Sequence, residues 1–138
     1  MNEEMIATGL LTPSTAEMKE WMRELKEKPE YCFDRLIDVT AVDRGEKLEV
    51  VYRLNSLAFD KDLVVKVETS REAPFVPSVA DLWLSALFGE REVHDMFGIV
   101  FSGHPDLRPL LAPEDGFGFY PLRKDYKLPG RSGQQEGR

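Results

Sequence analysis

The sequence predicts an α+β fold, in which helices cover a small, mostly antiparallel sheet and an extended arm follows at the C-terminal end. Three observations predict this fold: a helical stripe of apolar residues, three strand-like runs joined by short connections, and a Pro- and Gly-rich composition after Gly98. A chain of 138 residues is long enough to bury a substantial core, so we expect one folded domain before the arm.

The first helix is predicted to begin near Ser14. Ser14 can cap the helix, and Glu17 follows three residues later, as a capping box requires. The next apolar side chains are spaced i, i+3, i+4 and i+7, and Pro29 ends the pattern. They are Met18, Trp21, Met22 and Leu25. Such a stripe indicates a helix that faces the core rather than a binding surface.

Three strand-like runs come next, at residues 33–40, 48–54 and 63–68. The connections between them are too short to contain crossover helices, so the strands are predicted to form an antiparallel meander. One face of that meander has to be covered, and the first helix can supply the cover.

A second helix is predicted after Ser78, which can act as an N-cap with Asp81 three residues later. The apolar residues on one face of this helix are Val79, Leu82, Trp83, Ala86 and Leu87. The pattern is compatible with a continuation to Met96, with a break at Gly89. Gly98 is well suited to the left-handed position that ends a helix.

After Gly98 the chain keeps apolar side chains but loses every regular period. Five of the nine prolines lie between Pro105 and Pro129, and seven of the ten glycines lie from Gly98 onward. A disordered linker would lack large apolar residues, so we predict an arm that docks on a surface of this domain or of a partner. The predicted division is an α+β domain at 1–100, a partner-binding arm at 101–131 and a disordered tail at 132–138.

Composition excludes several classes of function. The 18 basic and 25 acidic side chains give a net charge of −7, which disfavours binding to nucleic acid or to anionic membranes. We expect no signal peptide and no membrane span, because the N-terminus and the apolar runs lack the required patterns. The single Cys32 cannot form an internal disulfide or hold an iron–sulfur cluster by itself. Any redox centres would therefore belong to partners.

A dense cluster of titratable residues begins at Glu90. On a helix, Glu90 and His94 are i, i+4 neighbours, so one hypothesis is a metal site that His104 or Asp106 completes. The alternative is an ion-pair lattice that fixes the end of the helix against the arm. The lattice is favoured, because the chain has only two histidines and no third ligand has a decisive spacing.

General acid–base chemistry by Glu92, His94 and Asp95 is a further hypothesis. No nucleophile motif and no phosphate-binding loop accompany these residues, which argues against catalysis by this chain alone.

A basic run occurs near the C-terminus. Four basic side chains and Asp125 give it a local charge of +3, and they are Arg123, Lys124, Lys127 and Arg131. The run suits docking on an acidic partner surface or on lipid headgroups, although a solvated charge run explains it equally well.

Taken together, the motifs resemble those of the thirty-kilodalton subunit family of proton-pumping NADH:quinone oxidoreductase (respiratory complex I). This family also has members in membrane-bound nickel–iron hydrogenases and related complexes. The resemblance covers most of the chain, from about residue 31 to 130. The segments that carry it are 33–43, 51–54, 90–108, 113–115 and 121–126.

The resemblance implies a non-catalytic subunit in the hydrophilic part of the complex, on the cytoplasmic side of the inner membrane or the matrix side in mitochondria. It implies that the chain grips the large catalytic subunit near the quinone site and supports electron transfer from NADH to quinone. No cofactor or metal is expected in this chain. Iron–sulfur clusters with flavin, or a nickel–iron site, are expected in partner subunits.

The resemblance also assigns roles to residues that match its motifs. We expect them to bind the partner or to orient the arm rather than to react. They are Glu90, Arg91, Glu92, Asp95, His104, Asp106, Arg108, Arg123, Lys124 and Asp125. The alternatives left open are a hydrogenase-type or ferredoxin-fed complex, a stand-alone metal-dependent enzyme, and an adaptor that binds a peptide through its arm.

Overall fold

The computed structural model describes residues 1–105 of the protein and confirms an α+β architecture with a mostly antiparallel sheet. The helices are α1 (Glu3–Ala7), α2 (Met18–Glu27) and α3 (Ala86–Phe97). The strands are β1 (Leu10–Leu11), β2 (Arg35–Asp43), β3 (Lys47–Ser56), β4 (Lys61–Ser70), β5 (Phe75–Pro77) and β6 (Val100–Ser102). The predicted C-terminal arm beyond Pro105, and its docking, lie outside the described residues.

The central sheet has the strand order β1-β4-β3-β2, and β2, β3 and β4 form the predicted antiparallel meander. Each of the three strands extends beyond its predicted run. Alternate residues of β3 point into the core and are fully buried, which is typical of a sheet covered on one face. They are Leu48, Val50, Tyr52 and Leu54.

Helix α2 covers this sheet as predicted. Met18, Met22 and Leu25 are buried in one cluster with the inward-facing strand residues. The predicted start near Ser14 is too early, because α2 begins at Met18 and its N-cap residue is Glu17. The two hydrogen bonds of the predicted capping box are nevertheless present in the turn before the helix. The Glu17 N–H donates to Ser14 Oγ (3.3 Å), and the Ser14 N–H donates to Glu17 Oε1 (3.2 Å). These bonds organise a turn that leads into the regular helix at Met18.

Two parallel pairings were not predicted. Strand β1 pairs with β4 through Leu10 and Val64, and β5 pairs with β6 to form a second, two-stranded sheet. Both pairings are short, and no alternation of apolar and polar residues in the sequence marks them. They form where Leu11 and Phe101 are buried in the core. The predicted domain boundary after residue 100 falls inside β6.

The predicted start of the second helix at Ser78 is wrong, because α3 begins at Ala86 and residues 80–82 and 84–85 form turns. Tertiary hydrogen bonds hold this segment in place. Trp83 Nε1 donates to the carbonyl of Phe33 (3.1 Å), and Ser85 Oγ donates to the carbonyl of Leu36 (2.9 Å). The apolar residues in this segment have the spacing of a helix, yet the segment is a non-helical connection that these two bonds attach to the chain at and just before β2.

Gly89 does not break α3, which continues through it to Phe97. A Cβ atom at this position would lie 3.1 Å from Cβ of Val39 and 3.2 Å from its Cγ2, so glycine allows the close approach of α3 to β2. The predicted end of the helix is confirmed. Gly98 adopts a φ of 79°, and its N–H donates to the carbonyl of His94 (2.9 Å).

Candidate partner-binding site

The first acidic residue of the motif, Glu90, lies in the interior. Its exposed fraction is 0%, and its two carboxylate oxygens accept hydrogen bonds from Ser78 Oγ (2.6 Å) and from the N–H of Val79 (2.8 Å). Burial raises the pKa of Glu90, while the hydrogen bonds from Ser78 and Val79 and the charge of His104 oppose that rise. Glu90 therefore ties α3 to the segment that follows β5 and does not reach the surface.

Tyr52 on β3 is the second buried ionisable group of this region. Burial raises the pKa of the Tyr52 phenol well above its ordinary value, and the negative charge of Glu90 raises it further. Within residues 1–105 its hydroxyl has no hydrogen-bond partner. The interior beside α3 is thus a place where negative charge is disfavoured.

A lysine of α2 supports the same connection from outside. Lys19 Nζ donates to the carbonyl of Ser78 and to Asp81 Oδ1, both at 2.5 Å. The hydrogen bond from Lys19 lowers the pKa of Asp81. Because Asp81 is largely exposed, solvent screens this ion pair and its contribution to stability is modest.

Both histidines form hydrogen bonds to backbone carbonyls. His94 Nδ1 donates to the carbonyl of Ile99 (2.9 Å), and His104 Nε2 donates to the carbonyl of Leu87 (2.9 Å). The carboxylate of Glu90 is engaged by Ser78 and Val79, so it holds the chain together. Among the described residues, no group of three or more His, Cys, Asp or Glu side chains is arranged to hold a metal.

The other predicted residues are distributed unevenly. Glu92 is exposed on α3, whereas Arg91 and Asp95 are half-buried. The bond from His104 to α3 fixes the end of the described chain against that helix. The remaining five predicted residues lie outside the described part: Asp106, Arg108, Arg123, Lys124 and Asp125. Partner binding by this set stays a prediction.

An apolar surface beside α3 was missed by the sequence reasoning. Leu84 is 78% exposed, Phe88 is 68% exposed and Ile37 is 47% exposed. Leu84 and Ile37 line one open groove of about 470 Å³ between β2 and the connection before α3. Phe88 stands about one helical turn after Leu84. Phe88 lies about opposite the inward face of α3 on a helical wheel, whereas Leu84 precedes the helix, so no single period of the sequence groups the two with Ile37.

These features define a two-layer α+β domain with an apolar surface patch, and comparison with known proteins places it in a family. Residues 11–132 match the family described as respiratory-chain NADH dehydrogenase, 30 Kd subunit. The chain therefore belongs to this family, and the resemblance drawn from its motifs is confirmed.

Several curated relatives are named as subunits of NADH-quinone oxidoreductase. The protein from Chloroherpeton thalassium is 50% identical over 106 residues, which are 75% of this chain and 44% of the relative. The protein from Moorella thermoacetica is 45% identical over 115 residues, which are 82% of this chain and 76% of the relative. The chain thus spans less than half of one of these relatives and about three quarters of the other.

Solved structures share the fold. A trypsin-resistant fragment (1–134) of Nqo5 aligns with a TM-score of 0.67 and 37% identity, over 76% of this chain and 95% of that one. The membrane-bound sulfane sulfur reductase, an archaeal respiratory membrane complex, contains a chain that aligns with a TM-score of 0.75 and 26% identity. That alignment covers 89% of this chain and 74% of the other.

Proposed function

We propose that the protein is a non-catalytic subunit of a proton-pumping NADH:quinone oxidoreductase of the complex I type. The observation that carries the proposal is the family match over residues 11–132, together with relatives that are named as NADH-quinone oxidoreductase subunits. In this role the chain grips the large catalytic subunit near the quinone site and supports electron transfer from NADH to quinone.

The chemistry of the described residues supports a structural role. Glu90, His94 and His104, which could have formed a reactive or metal-binding cluster, each bind backbone or a neighbouring serine. The lone Cys32 fits an arrangement in which partner subunits supply iron–sulfur clusters and flavin. The partners under this proposal are the large catalytic subunit and the neighbouring iron–sulfur subunits.

The proposed location is the cytoplasmic face of the inner membrane, or the matrix face in mitochondria, with the membrane reached only through the complex. Within residues 1–105, the structure contains no helix with the length and apolar character of a membrane span. Attachment through partner subunits would account for a membrane-associated activity that requires this chain.

The proposal is tested by deleting the gene in its host and measuring NADH:quinone reductase activity in isolated membranes. We expect the activity to be lost and to return when the wild-type chain is supplied from a plasmid. Unchanged activity in the deletion strain would contradict the proposal.

A pair of triple variants tests the predicted partner-binding run. Replacing Arg123, Lys124 and Asp125 by alanine is expected to reduce the assembled activity in the complemented strain, because charged contacts to the partner are lost. The matched control replaces residues 134–136 by alanine in the predicted tail, and it is expected to restore full activity. Equal activity of the two variants would remove residues 123–125 from the predicted site.

A second candidate is the equivalent subunit of a hydrogenase-type or ferredoxin-fed respiratory complex. The likeness to a chain of the membrane-bound sulfane sulfur reductase favours it. Metal and flavin analysis of the purified complex separates the two candidates. Flavin with NADH oxidation identifies the complex I type, whereas nickel, or reduction by ferredoxin without NADH oxidation, identifies the second candidate.

A further inference from the structure

The strongest unassigned feature of the described structure is the apolar patch formed by Ile37, Leu84 and Phe88. Leu84 and Phe88 are, with Leu57, the most exposed of the large apolar side chains in residues 1–105. Ile37 and Leu84 line the same groove and are therefore neighbours, and Phe88 follows Leu84 four residues later on the exposed side of α3. Contiguous apolar surface of this kind marks a docking site more often than a free surface.

None of these side chains belongs to the buried core. The inward face of α3 consists of Ala86, Glu90, Val93 and Phe97, all of them buried. Phe88 lies on the opposite side of α3, where a polar residue would serve the helix equally well, and Leu84 lies in the turn that precedes the helix. Ile37 falls at a register irregularity of β2, between Leu36 and Asp38, which turns an apolar side chain outward at the sheet edge.

The geometry of the sheet edge limits how a partner can bind. Strand β2 is an edge strand, and an added strand would need its free backbone groups. At the patch, the carbonyls of Phe33 and Leu36 already accept hydrogen bonds from Trp83 and Ser85, and the irregularity interrupts the ladder. A partner therefore binds here through side chains that enter the groove, as a helix or a turn does, and not through strand addition.

Charge selects among partners. Four exposed acidic residues are close to the patch residues in sequence, and Arg35 is the exposed basic residue among them; the acidic residues are Asp34, Asp38, Asp81, which pairs with Lys19, and Glu92. A second copy of the chain would place the same acidic residues opposite these, and both copies would carry a net charge of −7, so the two would repel each other. A partner with Lys or Arg beside its apolar contact residues is complementary.

We propose that Ile37, Leu84 and Phe88 form a docking surface for a helix of the large catalytic subunit. An apolar side chain of that helix enters the groove between β2 and the connection before α3, and basic residues beside it face Asp34 and Glu92. This inference rests on the proposed function, and it adds the surface and the kind of structural element by which the chain is held.

The test uses the assembled complex, purified from the host through a tag on the large subunit. The ratio of this chain to the large subunit is measured while the complex is diluted. Leu84→Ser and Phe88→Ser are expected to weaken retention about tenfold or more, as central apolar contacts of an interface do. Leu10→Ser is the matched control, because Leu10 is 44% exposed on β1, at the opposite edge of the described sheet from β2, and it is expected to be retained like the wild type.

A second measurement does not depend on the stability of the variants. A photo-crosslinking amino acid replaces Phe88 in one strain and Leu10 in another, and the crosslinked products are identified by mass spectrometry. We expect a crosslink from position 88 to a helix of the large subunit, with Lys or Arg near the crosslinked residue, and none to that helix from position 10. Crosslinking of position 88 to a second copy of this chain would overturn the inference.

The outcomes separate this inference from the proposed function. If the wild-type chain is absent from the purified complex, the proposed function fails and the docking surface fails with it. If the wild type is present and Leu84→Ser and Phe88→Ser are retained equally well, only the docking surface is refuted. Glu92→Lys is expected to weaken retention, while Glu46→Lys, in the turn between β2 and β3, is not; equal retention of these two would refute the role assigned to charge.

Discussion

Removal of the Glu90 carboxylate is expected to destabilise the domain by about 2–4 kcal/mol in Glu90→Ala. Ser78 Oγ and the N–H of Val79 lose their acceptors, which lie at 2.6 and 2.8 Å, and both residues are buried. Each buried donor left unpaired costs about 1–3 kcal/mol, and the lost side-chain volume adds a cavity penalty. Because Glu90→Ala no longer buries a carboxylate, the desolvation cost of that group disappears and offsets part of the destabilisation.

Glu90→Gln is the matched control for this variant. The amide oxygen can accept from the N–H of Val79, and the amide nitrogen can donate to Ser78 Oγ. The two hydrogen bonds and the packed volume are therefore kept. The free energy of unfolding is expected to stay within about 1 kcal/mol of the wild type near neutral pH.

The two variants also separate the effect of charge. Burial raises the pKa of Glu90 in the folded protein above its unfolded value, so folding favours the protonated form. The resulting contribution is complete below the unfolded pKa of about 4.3 and is lost as the pH rises through the folded pKa. The wild type should thus lose stability relative to Glu90→Gln as the pH increases over this window.

Urea unfolding followed by tryptophan fluorescence measures these differences in the free energy of unfolding. Trp83 is a suitable probe, because it is buried and its backbone N–H bonds to the carbonyl of Val79. The series is run on the wild type, Glu90→Ala and Glu90→Gln from pH 4 to pH 8. A Glu90→Ala variant as stable as Glu90→Gln would refute the role of the two hydrogen bonds. A constant difference between wild type and Glu90→Gln across the pH range would refute the burial argument.

Three further predictions concern the fold. Gly89→Ala should destabilise the wild type because its Cβ would lie 3.1 Å from Cβ of Val39 and 3.2 Å from its Cγ2, yet it should cost less or even stabilise by up to about 1 kcal/mol in a Val39→Gly background, which removes both atoms; additive effects in a double-mutant cycle would contradict this. Ser14→Ala should cost about 1 kcal/mol in urea unfolding through loss of the cap, and an unchanged midpoint would argue against the capping box. Tyr52→Phe should leave stability unchanged or raise it by up to about 1 kcal/mol. The wild type should lose stability above pH about 10, because the folded pKa of Tyr52 is raised, and Tyr52→Phe should abolish that loss. Identical alkaline stability profiles of the two proteins would speak against this.

Local signals were enough to predict the meander and α2. The spacing of Met18, Met22 and Leu25 is set by the geometry of one helix, and the short connections between the strand-like runs allow only antiparallel pairing. The left-handed turn at Gly98 is equally local, since glycine adopts a positive φ without a steric penalty. Such features depend on residues close together in the chain.

The start of α3 and the role of Gly89 could not be predicted in this way, because they depend on distant residues. Trp83 and Ser85 bond to carbonyls about fifty positions earlier in the chain, and Gly89 is required by contact with Val39. The buried position of Glu90 was missed for the same reason. A carboxylate in a charged motif suggests a surface role until its bonds to Ser78 and Val79 are seen.

The motifs identified the family, whereas the exposed patch needed the structure. Segments such as 90–108 keep their residue types in order and can be recognised without coordinates. The patch combines Ile37 of β2 with Leu84 and Phe88, which only the packing of α3 on β2 brings to one side of the molecule.

The measurement that tests the central claim most directly is a gentle affinity purification of the tagged chain from its native host. Mass spectrometry, metal analysis and flavin analysis are then applied to whatever accompanies it. The account predicts a large catalytic subunit with iron–sulfur proteins and flavin, in a preparation that reduces quinone with NADH. A tagged chain that purifies alone, or that carries stoichiometric metal of its own, would contradict it.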